Sequence, residues 1–318
     1  MISKHEPYVL VMGVSICDIF GFTNKSYKTH ESNPGSIKVS FGGVCRNIAE
    51  NMVRVGVNTK FISVLGDDER GKNMLEHAKK INLDMSESLI LKGKNTPTYM
   101  AILDENGEMV SAVVDMETAD SITEEFVDSK SEIIKNSTYT IIGADYPETV
   151  EYLVKNYKDK TDFILDPVSL TKAKALKHVL HYFHTIKPNR YEAEALCGFK
   201  IKNNDDVRKA GKYFIDLGIK NVFISLDADG IYYNNGEEEG IIKSEGVSVV
   251  NVSGAGVCLV AGIGFGYGIK MNIKDTVKFA IAMSVITIAH EDTIHPEMGL
   301  ELVEEYIKNI KWTENIYL

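Results

Sequence analysis

Ser253-Gly254-Ala255-Gly256-Val257 is a glycine-rich turn that leads directly into an apolar, helix-like run from Cys258 to Ile269. Small residues at a strand-to-helix turn let backbone N–H groups converge on an anion, and the helix dipole adds partial positive charge there. Such a turn suits a phosphoryl group during transfer. Alone, a G-x-G is weak and occurs in many folds, so its meaning depends on the rest of the chain.

Upstream of that turn, apolar strands and amphipathic helices alternate. Tyr8-Val9-Leu10-Val11-Met12-Gly13 is a short apolar run ending in glycine, as expected of a central parallel strand. After a polar stretch (Thr23–Ser36), Gly42-Gly43 opens a helix in which Val44, Ile48, Met52 and Val55 recur at near-helical spacing and Gly56 closes it. Lys60–Leu65 reads as the next strand and Asp68–Ile81 as an amphipathic helix. Thr98–Leu103, the turn Asp104-Glu105-Asn106-Gly107 and Glu108–Val114 predict a β-hairpin, because Asn-Gly supplies the positive φ that a tight turn needs. From Tyr139 the alternation resumes, with strands at Tyr139–Ile142, Phe163–Leu165, His184–Ile186 and Val222–Leu226. Helices are expected near Glu148–Tyr157, Tyr191–Cys197 and Asp205–Leu217. Two β-like pieces, Ile231–Tyr233 and Gly246–Val250, lead to the glycine turn and two closing helices. This order predicts an α/β fold: a mainly parallel central sheet with helices on both faces. One domain over residues 1–318 is expected, with a small β-sheet lid from about 16–41 and 96–118.

Bulk properties narrow the function. A formal charge of −10 argues against nucleic-acid and anionic-membrane partners, which need a basic footprint. The apolar runs around Cys258–Ile269 and Phe279–Ala289 are too short to span a bilayer and read as buried helices. Cys17, Cys45, Cys197 and Cys258 are far apart, without C-x-x-C or paired histidine spacing, so buried thiols in a reducing cytoplasm are expected. Met1–Pro7 lacks the apolar core of a signal peptide, which also points to the cytoplasm.

Two further segments carry candidate chemistry. In Gly42-Gly43-Val44-Cys45-Arg46-Asn47, paired glycines permit close backbone approach to a ligand, and Asn47 offers a donor and an acceptor one turn into the helix. In Thr185-Ile186-Lys187-Pro188-Asn189-Arg190-Tyr191-Glu192, a strand ends at Pro188 and Asn189 and Glu192 lie three apart at a helix start. That pair has two readings: oxygen ligands for a hydrated Mg²⁺, or a capping box. All three segments follow predicted strands or precede helices, where open α/β sheets bind ligands. A nicotinamide-dependent dehydrogenase is disfavoured, because the first strand is not followed by G-x-G-x-x-G.

Gly42-Gly43-Val44-Cys45-Arg46-Asn47-Ile48-Ala49, then Val64-Leu65-Gly66-Asp67-Asp68 and Gly71, match one family signature. Asn251-Val252-Ser253-Gly254-Ala255-Gly256-Val257 stands for a second, usually Asp-Thr-x-Gly-Ala-Gly-Asp. On these motifs the chain resembles the ribokinase-like (PfkB) carbohydrate and nucleoside kinases over nearly its full length. Within the family it is most similar to the pseudouridine-kinase branch, through Arg46-Asn47-Ile48-Ala49-Glu50-Asn51, Ala101-Ile102-Leu103-Asp104, Gly107-Glu108-Met109 and Asp115-Met116. Asp166-Pro167-Val168-Ser169 with Lys172, and Lys187-Pro188-Asn189-Arg190 with Glu192-Ala193-Glu194-Ala195-Leu196, add to it.

The resemblance implies transfer of the γ-phosphate of ATP, with Mg²⁺, to a primary hydroxyl, the 5′-OH in a nucleoside. It implies that Asp18 binds sugar hydroxyls, that Gly42, Gly43, Asn47 and the lid residue Thr98 line the acceptor pocket, and that Asn189 with Glu192 organises magnesium and phosphates. Gly254, Ala255 and Gly256 would form the anion hole, with Ser225, Asp227 and Gly230 beside the nucleotide. A homodimer through the lid is a further implication. Beside the milder changes at Asn251 and Val252, three positions depart from the pattern. Val257 stands where the family's aspartate takes the hydroxyl proton, and Cys258 lies about 100° further round a helix, a poor substitute. Asp227 replaces a glycine of Thr-x-Gly-x-x-Gly, which puts a carboxylate near triphosphate, and Ile16 replaces an asparagine. Two readings follow: a kinase lacking its usual base, or a relative that binds nucleoside or nucleotide as a sensor or partner without turnover.

Overall fold

All four side chains of the strand Val9–Met12 are buried, as required of a strand covered on both faces. In the computed structural model, which describes residues 6–318, this strand lies near one edge of a nine-stranded sheet. The residues Met1–His5, part of the segment read for a targeting signal, lie outside the described residues. From the far edge the order is Trp312–Ile316, Glu239–Ser244, Ile231–Asn234, Asn221–Ser225, Thr185–Ile186, Asp162–Asp166, Tyr139–Gly143, Val9–Met12 and Thr59–Ile62. The strands from Asn221–Ser225 to Thr59–Ile62 pair in parallel, and the other three add antiparallel.

Alternation along each strand feeds two cores. Leu10, Met12, Ile142 and Leu165 pack with the helices Pro147–Tyr157, Arg190–Cys197 and Asn204–Asp216. Val9, Val11, Ile141 and Ile164 pack with Val44–Arg54 and the pair Ala255–Gly268 and Ile273–Ile288. That pair is buried nearly all round. Phe265 and Phe279 stack at 4.1 Å between ring centroids, and a Cβ at Gly262 would come within 2.5 Å of Ala280 Cα. Among the described residues no helix is long and apolar enough to cross a membrane.

A second, four-stranded sheet runs Gly35–Gly42, Ile16–Thr23, Thr98–Leu103, Met109–Asp115. Its register puts Asp18 opposite Ser40 and Tyr99 on one face. Ile19, Val39, Met100 and Val113 share the other face. Val39, Met100 and Val113 there are exposed, as are Ile37 and Ile102 in the same alternation.

Several boundaries differ from the sequence expectations. The strand expected at Lys60–Leu65 is broken at Ser63, whose main chain turns to pair Val64–Gly66 with Leu89–Leu91. Gly246–Val250 is not a strand. The neighbouring strand is Glu239–Ser244, which has both faces buried over Glu239–Ile242, whereas Val249 and Val250 are exposed on the approach to the glycine turn. A third helix, Leu300–Asn309, and the edge strand Trp312–Ile316 follow the two expected closing helices.

Candidate active site

The chain passes from Val9–Met12 to Thr59–Ile62 on one side and later to Tyr139–Gly143 on the other, so strand order reverses at Val9–Met12. A crevice at the carboxyl ends of the strands is where such sheets bind ligands. Cys45, at the start of the helix Val44–Arg54, sits over this point. A Cβ at Gly13 would come within 2.5 Å of its Sγ, and one at Gly143 within 3.1 Å. Nine residues into Ala255–Gly268, a Cβ at Gly264 would lie 2.8 Å from Met52, which is eight residues into Val44–Arg54. The two helices therefore begin at the same level, and both N-termini open on the same end of the sheet.

Gly254 caps the helix Ala255–Gly268 in a left-handed conformation (φ 86°). A Cβ there would overlap the Thr293 carbonyl oxygen, so glycine is required twice over. No side chain caps this helix and no acidic residue occupies its first turn. Apart from the Ala255 N–H, which makes a long 3.4 Å bond to the Val252 carbonyl, its leading N–H groups keep their positive end free for an anion. The Lys187 ammonium lies 3.3 Å from where a Gly256 Cβ would stand. Lys187 also pairs with Asp166 at 3.4 Å, and both side chains are almost wholly buried. Register explains the pairing: Leu165 faces Ile186 on adjacent parallel strands, and the next residues of each emerge together at the crevice. Beside them Val168 holds a left-handed φ of 63°, an outlier for a β-branched residue, with its amide donating to Asp166 Oδ1 at 2.9 Å.

Asn189 and Glu192 form a complete capping box. Asn189 Oδ1 accepts from the Glu192 amide and Glu192 Oε2 accepts from the Asn189 amide, both at 2.9 Å. Burial raises the Glu192 pKa, opposed by that amide and by Lys187, while Asp166 adds to the rise. Capping occupies Glu192 Oε2 and leaves Oε1 for other work, whereas it takes the only side-chain oxygen of Asn189 and leaves that residue its amide nitrogen, a donor. Ser225 bridges to Asn189, its amide donating to the Pro188 carbonyl at 3.0 Å. Asp227 is exposed with φ 53°, a conformation aspartate tolerates better than most residues. At Gly230 (φ 91°) a Cβ would overlap the Ile242 carbonyl oxygen.

The second cluster is built on the other glycine pair. A Cβ at Gly42 would overlap the Asp18 carboxylate, and one at Gly43 (φ 98°) the Val14 carbonyl oxygen. Burial pushes the Asp18 carboxyl up to about 6, against the pull of Arg46. Asn47 Oδ1 accepts from Arg46 Nε and Nη2. Glu50 ties Arg46 to Arg54 and His77. Burial alone would raise the Glu50 pKa, but Arg46, His77 and Arg54 outweigh it and hold it at about 2.

The structure does not bring Thr98 to this group. Thr98 is in register with Cys17, on the sheet face opposite Asp18, and its hydroxyl accepts from Arg70 and donates to the Thr96 carbonyl. Tyr99 is the residue beside Asp18. Val257 is buried among apolar neighbours in the first turn of its helix. Cys258 cannot stand in as a base: its thiol bonds Thr287 at 3.0 Å, and burial pushes its pKa up to about 12. Sequence reasoning passed over Lys187, Asp166 and Arg46, each of which lies within a quoted motif. Their signal was a charged residue flanking a glycine pair or ending an apolar strand.

Comparison with known proteins agrees with this architecture. The pattern of the pfkB family carbohydrate kinases matches residues 6–298. Pseudouridine kinase of Escherichia coli (strain K12) is 30% identical over 96% of this chain and 98% of its own. A crystal structure from Clostridium perfringens, provisionally assigned as a sugar kinase, superposes with a TM-score of 0.96 at 58% identity, covering 99% of each chain. Arabidopsis thaliana ribokinase complexed with ribose and ATP shares the fold at a TM-score of 0.84 and 20% identity, covering 96% of this chain and 99% of its own. The chain therefore belongs to the pfkB family of carbohydrate kinases.

Proposed function

We propose that this protein transfers the γ-phosphate of ATP to a primary hydroxyl of a sugar or nucleoside, with the 5′-OH of pseudouridine as the first acceptor to test. The carrying observation is the buried Lys187 ammonium against Gly256, at an uncapped helix N-terminus. A buried cation facing free main-chain N–H groups suits a phosphoryl group better than any neutral ligand. The choice of acceptor rests on the 30% identity to pseudouridine kinase.

In this reading Gly254, Ala255 and Gly256 present the anion hole, and Lys187 balances charge on the transferring group. Asn189, Ser225, Asp227 and Gly230 border the nucleotide. Gly42, Gly43, Asn47 and Asp18 hold the acceptor. Among the described residues no three ligating side chains cluster for a metal, so Glu192 and Asp166 would hold Mg²⁺ alongside phosphate oxygens and water. When bound, the ion neutralises phosphate charge. The acceptor oxygen bonds to the γ-phosphorus as the β–γ bridging bond breaks and ADP leaves. Val257 cannot take the hydroxyl proton, which passes to water, and the missing base costs about 10²–10⁴-fold in rate. Phosphoryl transfer relies mainly on positioning and charge neutralisation, so turnover persists at that reduced level.

A second reading, binding without turnover, is favoured by Val257 together with the exposed carboxylate of Asp227. The exposed apolar face of the small sheet supports its role as a lid shared between two copies of the chain. Four buried, unpaired cysteines suit a cytoplasmic setting. Incubation with radiolabelled ATP, magnesium and a panel of pseudouridine, uridine and ribose tests the proposal. Slow labelling of one acceptor supports transfer. Nucleotide binding without labelling favours the second reading, and no nucleotide binding at several millimolar removes both.

A further inference from the structure

Arg46 ends a chain of buried bonds at one atom of the candidate acceptor pocket. Its Nε and Nη2 donate to Asn47 Oδ1 at 3.1 and 2.7 Å. A guanidinium has donors and no acceptor, so the amide oxygen, not the nitrogen, must face it. Both lone pairs of that oxygen are then taken. The Asn47 nitrogen has no protein partner among the described residues. The partnerless side-chain atoms that are sealed from solvent are Ser15 Oγ, Asn51 Oδ1 and Tyr233 OH, so the Asn47 nitrogen stays reachable.

The guanidinium is itself fixed. Arg46, Glu50 and Arg54 occupy successive i,i+4 positions on one helix. Arg46 Nη1 donates to Glu50 Oε2 at 2.6 Å, which His77 Nε2 also meets at 2.9 Å. Arg54 holds Glu50 Oε1 through Nε at 2.9 Å and Nη2 at 2.7 Å, and its Nη1 reaches the Pro296 carbonyl at 2.7 Å. Beside this network Asp18 offers only acceptor oxygens when ionised.

We propose that Arg46 is a positioning residue that locks the Asn47 amide with its N–H groups toward the acceptor. The pocket then selects a ligand that accepts a hydrogen bond at Asn47 and donates one to Asp18, the pattern a sugar diol presents. The inference rests on the reading of Asn47 and Asp18 as acceptor-pocket residues.

Calorimetric titration with pseudouridine and with ribose tests it, using Asn47→Ala, Asn47→Asp and Arg46→Lys beside the unsubstituted protein. Asn47→Asp keeps the pair with Arg46 but turns the outward atom into an acceptor, and it weakens binding by roughly tenfold or more. Arg46→Lys keeps a charge for Glu50 but loses the two-pronged grip on the amide, and it weakens both probes by roughly three- to tenfold while leaving binding of a nonhydrolysable ATP analogue unchanged. If Asn47→Ala weakens binding but Arg46→Lys does not, the positioning role is wrong and the pocket reading stands. If Asn47→Ala binds normally, or the unsubstituted protein binds neither probe, both fail. Should Arg46→Lys misfold, the side-chain amide resonances of Asn47 in the unsubstituted protein decide. They shift on saturation with pseudouridine if the inference is right, and stay put if it is wrong.

Discussion

Val257→Asp would place a carboxylate in the first turn of the helix Ala255–Gly268, and the structure sets its cost while the proposed mechanism sets its gain. Val257 is only 8% exposed, within the apolar cluster that includes Cys258, Cys45 and Ile164. Losing its buried methyls costs about 2 kcal/mol. A negative charge in a first turn recovers about 0.3–1 kcal/mol, approaching ~2 in partly buried geometry, and the Lys187 ammonium lies one residue away beside Gly256. Desolvating the buried carboxylate adds to the loss, so the net cost is at least about 1 kcal/mol and Tm falls by a few degrees or more in a chain of this size. The gain is a positioned proton acceptor, worth about 10²–10⁴-fold in transfer rate. The assay is formation of labelled product from radiolabelled ATP across pseudouridine, uridine and ribose, for the unsubstituted protein, Val257→Asp and the nearly isosteric Val257→Asn. The aspartate variant should be faster by that factor and the asparagine variant no faster. If Val257→Asp folds, binds ATP and transfers no faster to any acceptor, the base-loss account is wrong. Equal gains from both variants would assign the effect to polarity instead of proton transfer.

Three further outcomes follow from the same geometry. Gly254→Ala places a Cβ against the Thr293 carbonyl in a left-handed conformation, costing roughly 1–2 kcal/mol for the backbone alone. It should lower Tm and weaken nucleotide binding, whereas Gly268→Ala, with open space around it, should do neither. Asp18, with its pKa raised to about 6 by burial, should lose acceptor affinity as pH falls through 6. Its folded-state pKa exceeds the unfolded value, so its contribution to stability is present below about 4 and lost as pH rises through 6. Asp18→Asn should therefore gain thermal stability over the unsubstituted protein at pH 7.5 and not at pH 3.5, while its acceptor binding becomes weak and flat with pH. On the proposal that the lid is shared between two copies, the unsubstituted protein sediments as a dimer and Val39→Glu, on the exposed apolar face of the small sheet, as a monomer; an unchanged mass would remove the lid-mediated dimer.

Local periodicity carried much of the fold. The spacing correctly marks a helix over Val44–Arg54, with Ile48 and Met52 buried, although Val44 is only half-buried and burial runs unbroken from Cys45 to Met52; Gly107 takes the positive φ that the hairpin turn demanded. The strands Ile16–Thr23 and Gly35–Gly42 were harder to see, since the first is mostly half-buried and the second mostly exposed, so their apolar residues do not mark a core. Gly246–Val250 shows the converse: a β-branched run in which only Val247 packs against the core, while Val249 and Val250 stay exposed on the approach to a turn. In the candidate site, the glycines and the Asn189–Glu192 spacing were legible because they are local. Lys187 and Asp166 meet only through strand register, and Thr98 faces away from Asp18 for the same reason. Neither relation is written in the spacing of residues along the chain.

A crystal structure with magnesium and a nonhydrolysable ATP analogue puts the central claim to its most direct test. The terminal phosphate should lie within hydrogen-bond distance of the amides of Ala255, Gly256 or Val257 and of the Lys187 ammonium. An ordered nucleotide whose terminal phosphate lies away from that helix start would contradict the account.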